Sequence, residues 1–349
     1  MFAENEKRPS QINTSRWWTW ASIILSIILL GIGGWYVLAK ISLPEMMQAF
    51  GSVRSGYLGL SVLCITLTFL VKAWRWRFLL TTSSPKPSYA ALFWAMMLGF
   101  YVNIVLPFLR LGEIARAYAL NYQTGTSKIQ SLSTLVVEKV LEAVFLGLTA
   151  VSLLPFLVLP VASQQSNPGL MLGIVAFLVL IVMYLIAFRT NWVLRQVEQL
   201  AGWLPTAVGS RFLQLATAGL KGFAALREQR LSLAILGTSL LVAVLSVLTP
   251  YFLFPAFGIS LGIAEAAAIH VVISLALVPP STPVKIGIFD GVVAFMLVQF
   301  GVESEALIAA YTIVFHLVVV LPQIIFGSIA ASRTQWRRQQ TAVSAPRSS

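Results

Sequence analysis

Leu106-Pro107-Phe108-Leu109-Arg110-Leu111-Gly112-Glu113-Ile114-Ala115-Arg116 puts charge and proline where a membrane helix should be plain hydrocarbon. A second stretch resembles it: Pro279-Pro280-Ser281-Thr282-Pro283-Val284-Lys285-Ile286-Gly287-Ile288-Phe289-Asp290. Both run proline, then a cation, then a branched aliphatic residue and glycine, with an acid close behind. Charge inside hydrocarbon costs roughly 3 kcal/mol on the gentlest scale. Two such stretches in matching form point to one binding site built from two halves.

The rest of the chain makes hydrocarbon the right reference. Of 349 residues, 58% are hydrophobic and 10% charged, against about 25% charged in a soluble domain. The composition is that of a polytopic membrane protein. A net charge of +12 is therefore read first as topology and not as a nucleic-acid surface. The single cysteine, Cys64, excludes a disulfide framework. Two histidines and one aspartate, Asp290, exclude a Cys/His zinc site and an Asp-x-Asp metal–sugar motif, so no metal and no cofactor are expected.

Trp17 to Ala39 spans about 34 Å as a helix, enough to cross a bilayer core of ~30 Å. It lacks a small-x-small cleavage site before Lys40 and reads as an anchor. Further full spans are expected at 56–71, 132–158, 169–188, 231–254 and 305–331. Lys72-Ala73-Trp74-Arg75-Trp76-Arg77 after the second reads as an interfacial belt of aromatics and snorkelling cations. Positive charge gathers before span one, after spans two and four and at the chain end, which places those segments in the cytoplasm. Residues 89–120 must then begin and end inside, and 262–300 must begin and end outside. Their returning arms are about 20 Å long, too short for a crossing.

The expected fold is thus all-α: six full transmembrane helices and two re-entrant helical hairpins in an inverted-topology repeat. Repeat 1 covers 17–160 with its hairpin at 89–120. Repeat 2 covers 161–331, with an amphipathic cytoplasmic segment at 189–230 and its hairpin at 262–300. Residues 1–16 and 332–349 read as cytoplasmic tails without regular structure, the latter basic, with no room for a catalytic domain.

Candidate site residues follow from the hairpins. Pro107 and Pro283 break helices, which is tolerated at membrane depth only inside protein or beside a cavity. Asn103 also lies at the first tip, and Gly112 and Gly287 allow close backbone approach. The returning helices begin just after Arg110 and Lys285, so two cations and two positive helix ends would converge on an anion such as a phosphate headgroup. The alternative is that both cations snorkel to opposite interfaces. Glu113 and Arg116 are spaced to pair on one helix face, or Glu113 and Asp290 are exchangeable counter-charges to Arg110 and Lys285. Glu138, deep in its span, needs a partner, for which Arg116 is the nearest candidate, while Lys139 snorkels. His316, near mid-depth, is either hydrogen-bonded to a neighbouring helix or a proton relay, and His270 is structural.

At these residues the chain resembles the lysylphosphatidylglycerol synthetase transmembrane-region, or flippase-like, membrane proteins. The similarity covers about 20–330. It is carried by Asn103-Ile104-Val105-Leu106-Pro107, by Arg110 through Arg116, by Val137-Glu138-Lys139, by Pro280 through Phe289, and by His316 through Leu321-Pro322 to Gly327. Two departures stand out: the family often has Glu-Arg at Glu138-Lys139 and Pro-Gly at Pro283-Val284. The resemblance implies a membrane region without a synthetase domain. It implies transbilayer movement of an aminoacylated phospholipid, or in single-domain relatives of varied lipids including lipid-linked sugars.

The expected function is a flippase-like transporter of an anionic, zwitterionic or lipid-linked-sugar substrate, not an enzyme. The competing readings are an intramembrane enzyme acting on a lipid phosphate and an ion or small-solute transporter. Expected partners are membrane lipids with anionic headgroups, and a lipid-modifying enzyme or glycosyltransferase, but not nucleic acid. The expected location is a bacterial plasma (inner) membrane with both termini cytoplasmic.

Overall fold

Apolar helices dominate because lipid cannot satisfy a backbone N–H or C=O, so each span must bond internally. The computed structural model describes residues 43–80, 86–106, 111–153, 228–278 and 283–344, with Arg195 and Gln199. In chain order these form α1 (Leu43–Gly51), α2 (Ser55–Leu79), α3 (Tyr89–Val105), α4 (Gly112–Thr124) and α5 (Lys128–Ser152). Then come α6 (Gln229–Ala256), α7 (Ile263–Ala276), a tight turn at Pro283–Lys285, α8 (Ile288–Gln299) and α9 (Glu305–Ser344). There is no strand among the described residues. Among the described residues, three stretches are long and apolar enough to cross a membrane: Ser55–Leu79, Gln229–Ala256 and Glu305–Arg333. α5 has the same 25 residues as α2 but carries Glu138, Lys139 and Glu142 in its middle.

The spine of the molecule is α2 against α6, which run antiparallel. Ser61 Oγ donates to the Thr249 carbonyl at 2.7 Å near one end. Arg75 Nη1 donates to Ser239 Oγ at 3.3 Å near the other. The Arg54 N–H closes the top of the pair on the Ala256 carbonyl at 2.9 Å.

α3 and α4 form a helical hairpin joined through residues 107–110, and small residues let the arms touch. A Cβ added at Gly112 would lie 2.2 Å from the Gly99 carbonyl oxygen and 2.4 Å from Asn103 Cγ. One at Gly99 would lie 2.7 Å from the Gly112 carbonyl oxygen. Gly327 plays the same part between α9 and α3, where a Cβ would meet Tyr101 Cβ at 2.3 Å. The motif glycine of the other hairpin serves a different need. Gly287 has nothing within 4 Å but sits at φ +89°, a backbone shape that favours glycine.

Neighbour relations repeat between α2–α5 and α6–α9. α2 packs on α3 as α6 packs on α7, α3 on α4 as α7 on α8, and α4 on α5 as α8 on α9. Contacts across the halves also match: α3 with α9 as α7 with α5, and α2 with α9 as α6 with α5. The turn at 283–285 packs against α3, so the second hairpin's tip lies beside the first hairpin.

Several expectations need correction. The second span does not end at 71, because α2 continues unbroken to Leu79. α5 starts at Lys128, four residues before the expected 132. The segment from 332 is not an unstructured tail at its start, since α9 runs on to Ser344. α1 was not foreseen. The expected spans 17–39 and 169–188 lie outside the described residues, as does 189–230 except for Arg195 and Gln199, which are helical, and 228–230, where α6 begins.

The arm contact sets the first prediction. Gly112→Ala should cost about 1–3 kcal/mol through overpacking and lower the melting temperature in detergent. Gly237→Ala, where a Cβ meets nothing within 4 Å, should not lower it.

Candidate functional site

On α2, Lys72 and Arg75 are spaced i, i+3 and therefore share a face, while Trp74 and Arg77 share the opposite, exposed one. That inner face meets α5, whose Glu138 and Glu142 are spaced i, i+4. Glu142 takes Lys72 Nζ at 2.8 Å and Arg75 Nη2 at 3.3 Å on Oε1, and Lys139 Nζ at 3.1 Å on Oε2. Glu138 takes Arg75 Nη2 at 3.3 Å and Arg116 Nη2 of α4 at 3.0 Å. Arg75 and Glu138 are almost wholly enclosed, their side chains 1% and 4% exposed. Arg116 is buried too, its guanidinium 3.6 Å from the centre of the Trp76 ring. Trp76 is held in turn by its indole N–H on Thr134 Oγ1 at 2.9 Å.

The cluster is rich in unmet donors. Four cations, Lys72, Arg75, Arg116 and Lys139, face two carboxylates. Adding Glu113, whose charge reaches Lys139, still leaves cations in excess. Among the described residues, Arg75 Nε, Arg116 Nε and Arg116 Nη2 are buried without a hydrogen-bond partner. Arg116 Nη2 and Glu138 Oε2 answer each other at 3.0 Å, which leaves Arg75 Nε and Arg116 Nε as the buried guanidinium donors facing no carboxylate among the described residues. A buried donor left unmet costs about 1–3 kcal/mol. An oxyanion in reach of two guanidinium groups would meet several at once.

An apolar cavity of about 480 Å³ lies between α5, α6 and α7. Phe145 and Leu148 of α5, Leu240 and Val244 of α6, and Ile263 and Ala267 of α7 line it. Leu148, Leu240, Val244 and Ile263 are exposed, so the cavity opens sideways between helices. It begins one turn beyond Glu142 on α5, about 4.5 Å along the axis, and directly after Ser239 on α6. His270, one turn past Ala267, lies where the charges of Lys72 and Glu142 act on it.

The second hairpin has its own polar joint. His316 Nδ1 lies 2.6 Å from Asp290 Oδ1, and His316 Nε2 lies 2.9 Å from the Val284 carbonyl oxygen. The other oxygen of Asp290 accepts the Gly287 N–H at 3.0 Å, capping α8. Phe289 packs on the imidazole with centroids 4.9 Å apart. Val284 and Lys285 both have positive φ, 59° and 65°, a shape that costs an L-residue roughly 1–2 kcal/mol.

The expected residues divide accordingly. Arg116 and Glu138 come together as expected. Glu113 does not pair with Arg116: it lies 3.5 Å from Asn103 Nδ2, while Asn103 Oδ1 accepts the Gly112 N–H at 2.8 Å. Asp290 engages His316 and the Gly287 N–H, a tighter assignment than a counter-charge to Lys285. Pro283, Lys285 and Gly287 lie at the second tip, and Arg110 and Pro107 lie outside the described residues. Lys139 is exposed as expected, yet it bonds Glu142. Lys72 and Arg75 are not interfacial anchors; both belong to the cluster, and Arg75 is among its most buried members.

A family model described as Lysylphosphatidylglycerol synthase TM region matches residues 22–327. The chain belongs to that family. No curated protein and no solved structure matches the chain.

Removing one buried acid tests the cluster. Glu138→Gln should cost about 3–5 kcal/mol, because two buried cations lose their carboxylate. Lys139→Gln, at a side chain 59% exposed, should stay within about 0.5 kcal/mol of the parent. Thermal unfolding of the purified protein reads both.

Proposed function

We propose, proceeding from membership of the lysylphosphatidylglycerol synthase TM-region family, that this protein moves a phosphate-bearing lipid between the leaflets of a bilayer. The observation that carries the reading is that the cation-rich cluster and the apolar cavity lie in succession along α5 and α6, with Phe145 one turn past Glu142 and Leu240 next to Ser239. A cluster of charge followed along the same helices by an apolar cavity matches the two ends of an amphiphile. Arg75 and Arg116 receive the phosphate, and an acyl or prenyl chain lies between α5, α6 and α7. The lateral opening favours a lipid over a small solute, which a sealed aqueous cavity would suit better. The substrate class is anionic, zwitterionic or lipid-linked sugar, and the role is transport, not catalysis.

The membrane arrangement we propose has six full spans and two re-entrant hairpins in an inverted repeat. The matching neighbour relations of α2–α5 and α6–α9 support it, as does the antiparallel run of their first members. α4 and α8, 13 and 12 residues long, reach only about 20 Å as helices. Glu138 and His316 then lie about 15 Å into α5 and α9, near mid-depth. Both termini are cytoplasmic, in a bacterial inner membrane, beside an enzyme that makes the lipid.

Proteoliposomes carrying headgroup-labelled lipids, with label in the outer leaflet destroyed by an impermeant reductant, test this. Lipid movement should exceed that of protein-free vesicles for at least one phosphate-bearing lipid. Arg116→Met should slow it by about tenfold or more, the value of a lost charge-assisted contact. Ala243→Trp, filling the cavity, should slow it without touching a charge. Movement no faster than in empty vesicles for every lipid would overturn the reading.

A further inference from the structure

The exchange of halves that maps α4 onto α8 and α5 onto α9 also maps one polar pair onto another. Arg116, in the second turn of α4, meets Glu138, the eleventh residue of α5. Asp290, in the first turn of α8, meets His316, the twelfth residue of α9. Each pair ties the returning arm of a hairpin to the helix that follows it. The first cannot titrate on its cationic side, because arginine keeps its proton in proteins. The second can.

Its geometry requires a proton. His316 faces an acceptor at each ring nitrogen: the Asp290 carboxylate at Nδ1 and the Val284 carbonyl at Nε2. A neutral imidazole has one N–H and can satisfy only one of them. Both bonds form together only when the ring is doubly protonated, or when Asp290 carries a proton and donates it to Nδ1 while Nε2–H meets Val284. Either way the pair holds one proton more than a neutral histidine beside a carboxylate. When that proton leaves to water, the remaining N–H stays with the charged carboxylate, and the lone pair at Nε2 faces the Val284 oxygen. The contact that breaks is the one between the Val284 carbonyl of the tip and α9.

We propose that His316 and Asp290 form a proton-binding site whose proton latches the tip of the second hairpin, residues 283–287, to α9. The tip is poised to leave when the latch opens, because Val284 and Lys285 are held at positive φ beside a glycine at φ +89°. The first hairpin stays bolted by Arg116 and Glu138 at every pH where the protein is folded, so the second is the one that moves. The other titratable groups among the described residues of the elements packed around the joint are these. α8 carries only Asp290, the tip carries Lys285, and α3 carries only Tyr89 and Tyr101. Of the remaining elements packed on α9, α1 carries Glu45, and α6 carries Arg230 and Tyr251. On α2, Lys72 and Arg75 are turned to α5, and Tyr57, Cys64 and Arg77 complete its titratable set. α9 itself adds Glu305, Tyr311, Arg333, Arg337 and Arg338, with the Tyr311 hydroxyl donating to the Pro250 carbonyl, and α7, packed on α8, carries Glu265 and His270.

The latch is tested by tip accessibility, which does not depend on what lipid is carried. Ile286→Cys in nanodisc-embedded protein is reacted with an impermeant maleimide from about pH 5.5 to about pH 8.5, spanning the histidine range. The rate is divided by that of Glu303→Cys, an exposed site, and the background from buried Cys64 is subtracted. The normalised rate should rise about tenfold or more as pH increases, the shift of a two-state tip from mostly closed to mostly open. Asp290→Asn should stay slow at all pH, since its amide can donate to Nδ1 and leave Nε2–H on Val284. His316→Ala should be fast at all pH. A flat parent profile, a pH-dependent rise that survives in His316→Ala, or fast labelling of Asp290→Asn would each overturn the latch. None of these outcomes bears on whether lipid moves.

Discussion

A charge placed in hydrocarbon has to be answered by another charge, and in this molecule that requirement decides which helices touch. Arg75, Arg116 and Glu138 come from α2, α4 and α5, and each is nearly closed to its surroundings. Any one of them alone would be prohibitive at such a depth. Together they make the inner face of α2, the returning arm of the first hairpin and the middle of α5 obligate neighbours. Ser239 brings α6 into the same network through Arg75. Packing then follows: Trp76 fills the space under Arg116, and Gly99 and Gly112 let the hairpin arms close on each other. Arginine suits the role better than lysine, because a planar fork can serve Glu138, Glu142 and Ser239 at once, as Arg75 does.

Among the described residues the network is not electrically closed, and the proposed function rests on that surplus. A purely structural ion-pair cluster would match its charges and saturate its donors. Here, among the described residues, cations outnumber carboxylates, and Arg75 Nε and Arg116 Nε lack a hydrogen-bond partner. The surplus is tolerable if an anion visits and leaves. It also explains why the acids are needed: with Glu138 and Glu142 absent, a phosphate would bind two or more bare cations too tightly to be released.

Much of this was legible in the sequence, and the exceptions have physical causes. The hairpin arms expected at 89–106 and 108–120 correspond to α3 and α4, because proline and glycine punctuate a hydrophobic run in only a few ways. The meeting of Arg116 with Glu138 followed from the need to pair a deep acid. Arg75 was misplaced because Trp74-Arg75-Trp76-Arg77 has the composition of an interfacial belt. Helical spacing carried the missing signal: Lys72, Arg75 and Trp76 fall on one side and Trp74 and Arg77 on the other. Composition reports which residues lie together in sequence, and only periodicity reports which face lipid. The partners of Asp290 were not legible, since His316 is 26 residues away on another helix and no local pattern links them.

The two hairpin tips show how alike sequences can be put to unlike use. In the first, Gly112 is required for space, and Asn103 of the opposite arm seats the returning helix on its N–H. In the second, Gly287 is required for its backbone angle, and Asp290 caps the helix from within it. Val284 stands at the position where the family often has glycine, and its φ of 59° is one that glycine adopts freely and a β-branched residue resists. A strained residue persists where its surroundings over-determine it, and here the surroundings include the packing of the turn on α3, a histidine bond to the Val284 carbonyl and a capped helix behind it. Valine in place of glycine therefore raises the energy of the seated tip without altering its partners. That moves the balance between seated and released closer to even, the condition under which one proton is enough to decide it.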